Sequence, residues 1–104
     1  MIRVVAHYHN NVVKDVRISG HADFAEHGKD LVCAGVSTLI VGTCNALDIL
    51  GDSPISVTLD EGYAHITNHG DQHDTQLILE TLMISLLTME ESYGQYIQIT
   101  KKEA

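Results

Sequence analysis

Two short segments near the start of the chain alternate apolar and polar residues, IRVVAHYH at 2–9 and VVKDVRIS at 12–19. A period of two is typical of strands that bury one face. Asn10 and Asn11 lie between them, and because paired asparagines tolerate positive φ, they predict a tight hairpin. The same pattern recurs at 55–60 and 63–68 around Glu61-Gly62, and a fifth strand is predicted at 95–100.

Between the predicted strands lie two segments in which apolar residues recur at helical spacing. Asp30 is a good N-cap for a helix that runs to about Leu50, where Gly51 supplies the stop. The apolar face predicted for this helix consists of Val36, Leu39, Ile40, Leu47 and Leu50.

A second helix is expected to begin at Asp71 or Asp74, to reach about Ser92 and to close at Gly94. Its predicted apolar face is Leu77, Leu82, Leu86 and Met89. The resulting order, ββαββαβ, favours a two-layer α+β sandwich with a mainly antiparallel sheet and two helices. An open sheet face or edge would remain, which favours a homodimer.

Composition narrows the class of protein. The chain has 104 residues, 44% hydrophobic and 19% charged, which fits one globular domain over 1–104. The longest apolar stretch, 31–49, is interrupted by polar residues, and the first ten residues lack the apolar core of a signal peptide. We therefore expect a cytoplasmic protein without a membrane span.

The formal net charge is −8, from 14 acidic and 6 basic residues. Binding to a nucleic-acid backbone needs a cationic face, so direct nucleic-acid binding is not expected. An acidic protein is better suited to a basic protein partner, because complementary charge accelerates encounter.

Candidate chemistry centres on Cys33 and His21. A helix N-terminus favours the reactive thiolate, and a helix capped at Asp30 puts Cys33 in its first turn. His21, at the end of a strand, could face that turn and serve as the base. Cys33 could equally be a small buried hydrophobe, and His21 an ordinary loop residue. Cys44, eleven residues further on, is too distant along a helix to form a disulfide with Cys33.

Three further residues are candidates for supporting roles. Asp30 could orient the imidazole or cap the helix, but one carboxylate is poorly suited to both. Ser37, one turn after Cys33, could hydrogen-bond near the site or pack between helices. Gly20 could be a hinge for a mobile loop at 22–29, or it could simply end a strand.

Metal chemistry is the rival interpretation, because the chain has seven histidines. Zinc sites usually show paired ligands at short spacing, and neither C-x-x-C nor H-E-x-x-H occurs. We therefore expect no metal site.

The stretch GHA at 20–22, followed by GKDLVCAGVS at 28–37, resembles the signature of the bacterial ribosomal-processing cysteine protease family called Prp. The likeness extends over essentially the whole chain. It implies a cysteine endopeptidase that removes a short N-terminal extension from large-subunit ribosomal protein twenty-seven. It also implies that Cys33 is the nucleophile and His21 the base, that no cofactor is needed, and that the protein is a dimer with a mobile loop between the two residues.

Two other functions stay open on the sequence alone. The first is a non-catalytic, ribosome-associated binding module or a chaperone for a basic ribosomal protein, which rests on the small size, the acidity and the expected dimer. The second is a redox or metal-handling protein, which the scattered cysteines and histidines make the least favoured.

Overall fold

The computed structural model describes residues 1–26 and 28–103. Five strands and two helices follow in the predicted order. They are β1 (Ile2–His9), β2 (Val12–Ser19), α1 (Leu31–Leu50), β3 (Ile55–Asp60), β4 (Tyr63–Asn68), α2 (His73–Tyr93) and β5 (Ile97–Glu103).

The strands form one five-stranded sheet with the order β3-β4-β2-β1-β5. Three of the pairings are antiparallel, and β5 runs parallel to β1. One buried cluster draws on alternate residues of the strands and on one face of each helix. Both helices therefore cover the same face of the sheet, and the predicted α+β sandwich is confirmed.

Turn chemistry explains both hairpins. Asn10 and Asn11 adopt φ of 50° and 64°, and Gly62 adopts a φ of 68°. These left-handed conformations are the ones that asparagine and glycine adopt at low cost, and they allow a two-residue connection between twisted strands.

Helix α1 begins and ends where its sequence predicts. The carboxylate of Asp30 accepts a hydrogen bond from the N–H of Cys33, and Gly51 donates to the carbonyl of Leu47 at the other end. Val32, Val36, Ile40 and Leu47 are its buried residues, whereas Leu50, predicted to be buried, is 65% exposed. By length and a mean hydropathy of 1.5 this helix could cross a membrane, but its buried face packs in the core.

Helix α2 begins differently from the prediction. Its N-cap is Gln72, which makes no capping hydrogen bond through its side chain. The capping carboxylate comes from Asp52, before β3, which accepts hydrogen bonds from the N–H groups of Asp74 and Thr75 at 3.3 and 2.9 Å. The helix thus begins at His73, between the two predicted starts, but its capping carboxylate is that of Asp52, which is distant in the sequence.

Candidate active site

A cavity of about 660 Å³ opens beside the first turns of α1. The helix contributes Cys33, Ser37 and Ile40 to the cavity lining, and the β3–β4 hairpin contributes residues 59–64. The loop between β2 and α1 closes one end and contributes His21. All five predicted site residues therefore line a single cavity: Gly20, His21, Asp30, Cys33 and Ser37.

The sulfur of Cys33 lies at the inner end of this loop. The residue is half-buried and its thiol is free. Sγ accepts a hydrogen bond from the backbone N–H of Ala22 at 3.3 Å. Ala22 is itself 3% exposed, so the loop brings a buried amide directly against the sulfur.

Asp30 connects the loop to the helix. Its Oδ1 accepts from the N–H of Cys33 at 3.0 Å, and its Oδ2 accepts from the N–H groups of Phe24 and Ala25 at 2.9 and 3.4 Å. Burial raises the pKa of this carboxyl, but the hydrogen bonds from Cys33, Phe24 and Ala25 together hold the pKa below its ordinary value of 3.8. The described contacts of Asp30 are those of a cap and a loop anchor, and they do not include the imidazole of His21.

His21 lines the same cavity from the loop between β2 and α1. Its ring lies against the hairpin turn, where a Cβ built on Gly62 would be only 2.8 Å from Nε2. Among the hydrogen bonds of the described residues, none joins this imidazole to the thiol of Cys33. The two side chains share a cavity, and the ring must approach the sulfur before a proton can pass directly between them.

Gly20 fixes the backbone just before His21. Its φ is 93°, and a Cβ there would lie 2.4 Å from the carbonyl oxygen of Met1. Its N–H donates to the carbonyl of Gly62 at 3.0 Å. Only glycine fits this position, which ties the end of β2 both to the first residue and to the hairpin turn.

An aromatic cluster that the sequence interpretation missed holds the loop from outside. The ring of Phe24 meets those of Tyr93 and Tyr96 edge to face, at centroid distances of 5.9 and 5.1 Å. The two tyrosines flank the end of α2 and are about seventy residues away in the chain, so no local pattern could have indicated the contact. The mobility predicted for the loop at 22–29 stays a prediction, and residue 27 lies outside the described residues.

The structure does not group the histidines of the described residues into a metal site. Within residues 1–26 and 28–103, no three His, Cys, Asp or Glu side chains are grouped so that they could hold a metal ion. His65 and His7 instead flank Asp15 on the sheet, with nitrogen–oxygen distances of 2.5 and 3.7 Å.

Comparison with known proteins connects this geometry to a family. A family model described as cysteine protease Prp matches residues 1–98. The chain belongs to the cysteine protease Prp family. A Staphylococcus aureus protein named ribosomal processing cysteine protease Prp is 40% identical over 93 residues, covering 86% of this chain and 88% of the relative. A Bacillus subtilis protein of the same name is 34% identical over 99 residues, covering 88% of each chain.

Solved structures of Prp agree with the sequence match. Two crystal structures of the S. aureus Prp protease, one with a covalently linked product peptide and one with a substrate peptide, have TM-scores of 0.93 and 0.86. Each is 37% identical, covering 98% of this chain and 100% of the other. The chain described here is therefore a cysteine protease, and its fold is that of the Prp structures.

Proposed function

We propose that this protease removes the short N-terminal extension of large-subunit ribosomal protein twenty-seven, with Cys33 as nucleophile and His21 as base. The observation that carries the proposal is that both residues of the recognised motif line one cavity, with the sulfur at the start of a helix. Further support comes from relatives named ribosomal processing proteases and from the peptide complexes of the S. aureus protein.

The reaction is acyl transfer. His21 takes the proton from Cys33, and the thiolate attacks the scissile carbonyl, forming a sulfur–carbon bond. The carbon–nitrogen bond then breaks, and the leaving amine takes the proton from His21. Water, deprotonated by His21, finally hydrolyses the thioester, and this releases the acid product and restores the thiol. No cofactor enters these steps.

Movement of His21 is part of this mechanism. A base must come within hydrogen-bonding distance of the proton that it removes, and in unliganded enzymes such contacts are often long. The ring of His21 lies against Gly62 in the turn between β3 and β4. A peptide that enters the cavity would displace solvent there and favour the approach of the ring to the sulfur.

Charge supports a basic protein as substrate. Asp23, Asp60 and Glu61 line the cavity, and the chain as a whole carries a net charge of −8. Such a field attracts a basic ribosomal protein and disfavours direct contact with nucleic acid. We accordingly propose that the enzyme acts on the free protein in the cytoplasm.

The test uses a peptide that spans the extension junction of the ribosomal protein (the junction peptide). Wild type is expected to cleave it once, and Cys33→Ala is expected to leave it intact over the same period, as mass spectrometry will determine. Cys44→Ala is the matched control, because it removes the other thiol and should retain cleavage. Normal cleavage by folded Cys33→Ala would contradict the assignment of the nucleophile.

Thiol reactivity provides an independent test of the same assignment. Burial raises the pKa of the Cys44 thiol, so little of it is thiolate near neutral pH. Cys33 is expected to react with iodoacetamide at least tenfold faster than Cys44 at about pH 7, because the thiolate is the reactive species. Equal rates at the two cysteines would count against an activated nucleophile.

We also propose that the protease is a homodimer. The strands β3 and β5 are the edges of the sheet, and the helical layer exposes Ile49, Leu50, Leu77 and Ile84 by 58–76%. Apolar side chains exposed to this degree favour a covered surface. Sedimentation equilibrium should give twice the chain mass at micromolar concentration, and a monomer throughout the range would contradict the proposal.

A further inference from the structure

Peptide-bond cleavage by a thiolate needs a hydrogen-bond donor for the oxygen that becomes negative in the transition state. In serine proteases the backbone N–H of the nucleophile itself is one such donor. Here the N–H of Cys33 is occupied, because it donates to Oδ1 of Asp30 at 3.0 Å. The N–H of Ala34 donates to the carbonyl of Asp30 at 2.9 Å. The first of these amides is thus engaged by the cap and the second by the first hydrogen bond of the helix, so neither is free to bind an oxyanion.

Another amide is already directed at the reacting atom. The N–H of Ala22 donates to Sγ of Cys33 at 3.3 Å, from a residue that is 3% exposed. Its surroundings hold it there, since the following amides of Phe24 and Ala25 are fixed by Oδ2 of Asp30. A donor that is buried and fixed before the substrate arrives needs little reorganisation during the reaction.

We propose that the backbone N–H of Ala22 is the oxyanion donor of this protease, which deepens and rests on the proposed function. When Sγ attacks, its electron pair forms the sulfur–carbon bond, and the π pair of the carbonyl moves onto the oxygen. The sulfur then loses its negative charge, and the oxygen, two bonds away from it, gains one. The N–H of Ala22 transfers from the sulfur to this oxygen and returns when the carbon–nitrogen bond breaks.

The role of the Ala22 N–H can be tested by replacing this backbone amide with an ester. Chemical ligation makes such a chain accessible, because Cys33 supplies the N-terminal cysteine that the ligation requires. A synthetic segment 1–32 with Ala22→lactic acid is joined to segment 33–104, which exchanges one N–H for an ester oxygen and keeps the methyl group. The matched control is Ala25→lactic acid, made in the same way in the same loop. That change removes only a 3.4 Å hydrogen bond to Asp30. The all-amide chain made by ligation is the reference.

The ester at Ala22 is expected to lower kcat for the junction peptide about 100-fold, as the loss of one oxyanion donor does elsewhere, with KM changed less than about threefold. It should weaken inhibition by the aldehyde of the N-terminal product by a similar factor. The ester at Ala25 removes one of the two loop anchors on Asp30, so kcat should fall by less than about tenfold. Equal kcat for the two esters would overturn the proposal.

Alkylation separates an effect on the oxygen from one on the sulfur. The Ala22 ester should react with iodoacetamide within about threefold of the reference rate, because alkylation forms no oxyanion. A loss of alkylation as large as the loss of kcat would show that the amide acts on the thiolate, and would overturn the assignment. Inactivity of the all-amide reference toward the junction peptide would instead refute the proposed function.

A second measurement uses the unaltered protein, so that the proposal can be tested even if the ester variant fails to fold. With ¹⁵N at Ala22, the amide proton should move downfield when the product aldehyde bonds to Cys33, since it then donates to an oxygen of higher charge. Cys33→Ala with the same aldehyde is the control and should show no change. An Ala22 resonance that stays unchanged in wild type while the aldehyde is bound would overturn the proposal.

Discussion

Replacement of Asp30 tests most directly how the active-site loop and the catalytic helix are held together. Asp30→Ala removes the cap on Cys33 and both anchors of the loop, at Phe24 and Ala25. Loss of an N-cap costs about 1 kcal/mol, and each further hydrogen bond contributes about 1 kcal/mol. We expect the free energy of unfolding to fall by about 3 kcal/mol, which leaves a domain of ordinary stability folded.

The effect on activity should exceed the effect on stability. Without Asp30 the loop no longer holds the amide of Ala22 against the sulfur, and displacement of a catalytic group by about 1 Å costs on the order of 100-fold. Asp52→Ala is the matched control, because Asp52 caps α2 with two hydrogen bonds and is not among the described residues that line the cavity. It should destabilise the fold and leave kcat within about twofold of wild type.

The assay combines urea unfolding with cleavage of the junction peptide at a temperature where both variants are fully folded. Asp30→Ala should lose kcat by 10- to 100-fold while Asp52→Ala does not. Equal kcat values for the two variants would refute the reasoning that one carboxylate positions the catalytic groups. If only Asp52→Ala lost stability, the free energy assigned to the hydrogen bonds of Asp30 would be refuted.

Three other predictions follow from the same contacts. Gly62→Ala should lower kcat/KM at least tenfold relative to Gly28→Ala. Both residues have left-handed φ, but only at Gly62 would a Cβ press on His21, and no described atom lies within 4 Å at Gly28, so equal values would contradict this. The free energy of unfolding of Asp30→Asn should lie furthest below that of wild type at about pH 7. This difference should shrink as pH falls below 3.8, because the lowered pKa makes the carboxylate stabilise the fold until it is protonated; a constant difference in urea titrations at several pH values would count against this. Phe24→Ala should speed tryptic cleavage after Lys29 about tenfold, as the loss of some 1.4 kcal/mol of ring packing requires, with cleavage after Lys14 unchanged; equal acceleration at both sites would point to global unfolding instead.

The features that the sequence predicted are those encoded over a few residues. The turn at Asn10-Asn11, the cap at Asp30 and the stop at Gly51 each depend on the local conformational preference of the residue concerned. The motif around Cys33 likewise indicated which side chains to examine, and the structure brings them to one cavity.

The features that the sequence did not predict depend on distant contacts. Leu77 was expected on the buried face of α2 and is 58% exposed, because it lies about 200° around the helix from buried Leu79. The cap of α2 by Asp52 and the parallel partner of β1 both join residues that are far apart in the chain. The position of the His21 ring on Gly62 is of the same kind, since only the folded sheet brings the hairpin to the loop.

The parallel pairing of β1 with β5 has a consequence for how the enzyme comes into being. Ile2 is aligned with Ile97, so β1 has no second neighbour until the chain has been synthesised past residue 97. Both isoleucines are almost wholly buried, and until then one edge of the nascent sheet stays open. A ribosome that stalls shortly before residue 97 would therefore carry a protease whose sheet is incomplete.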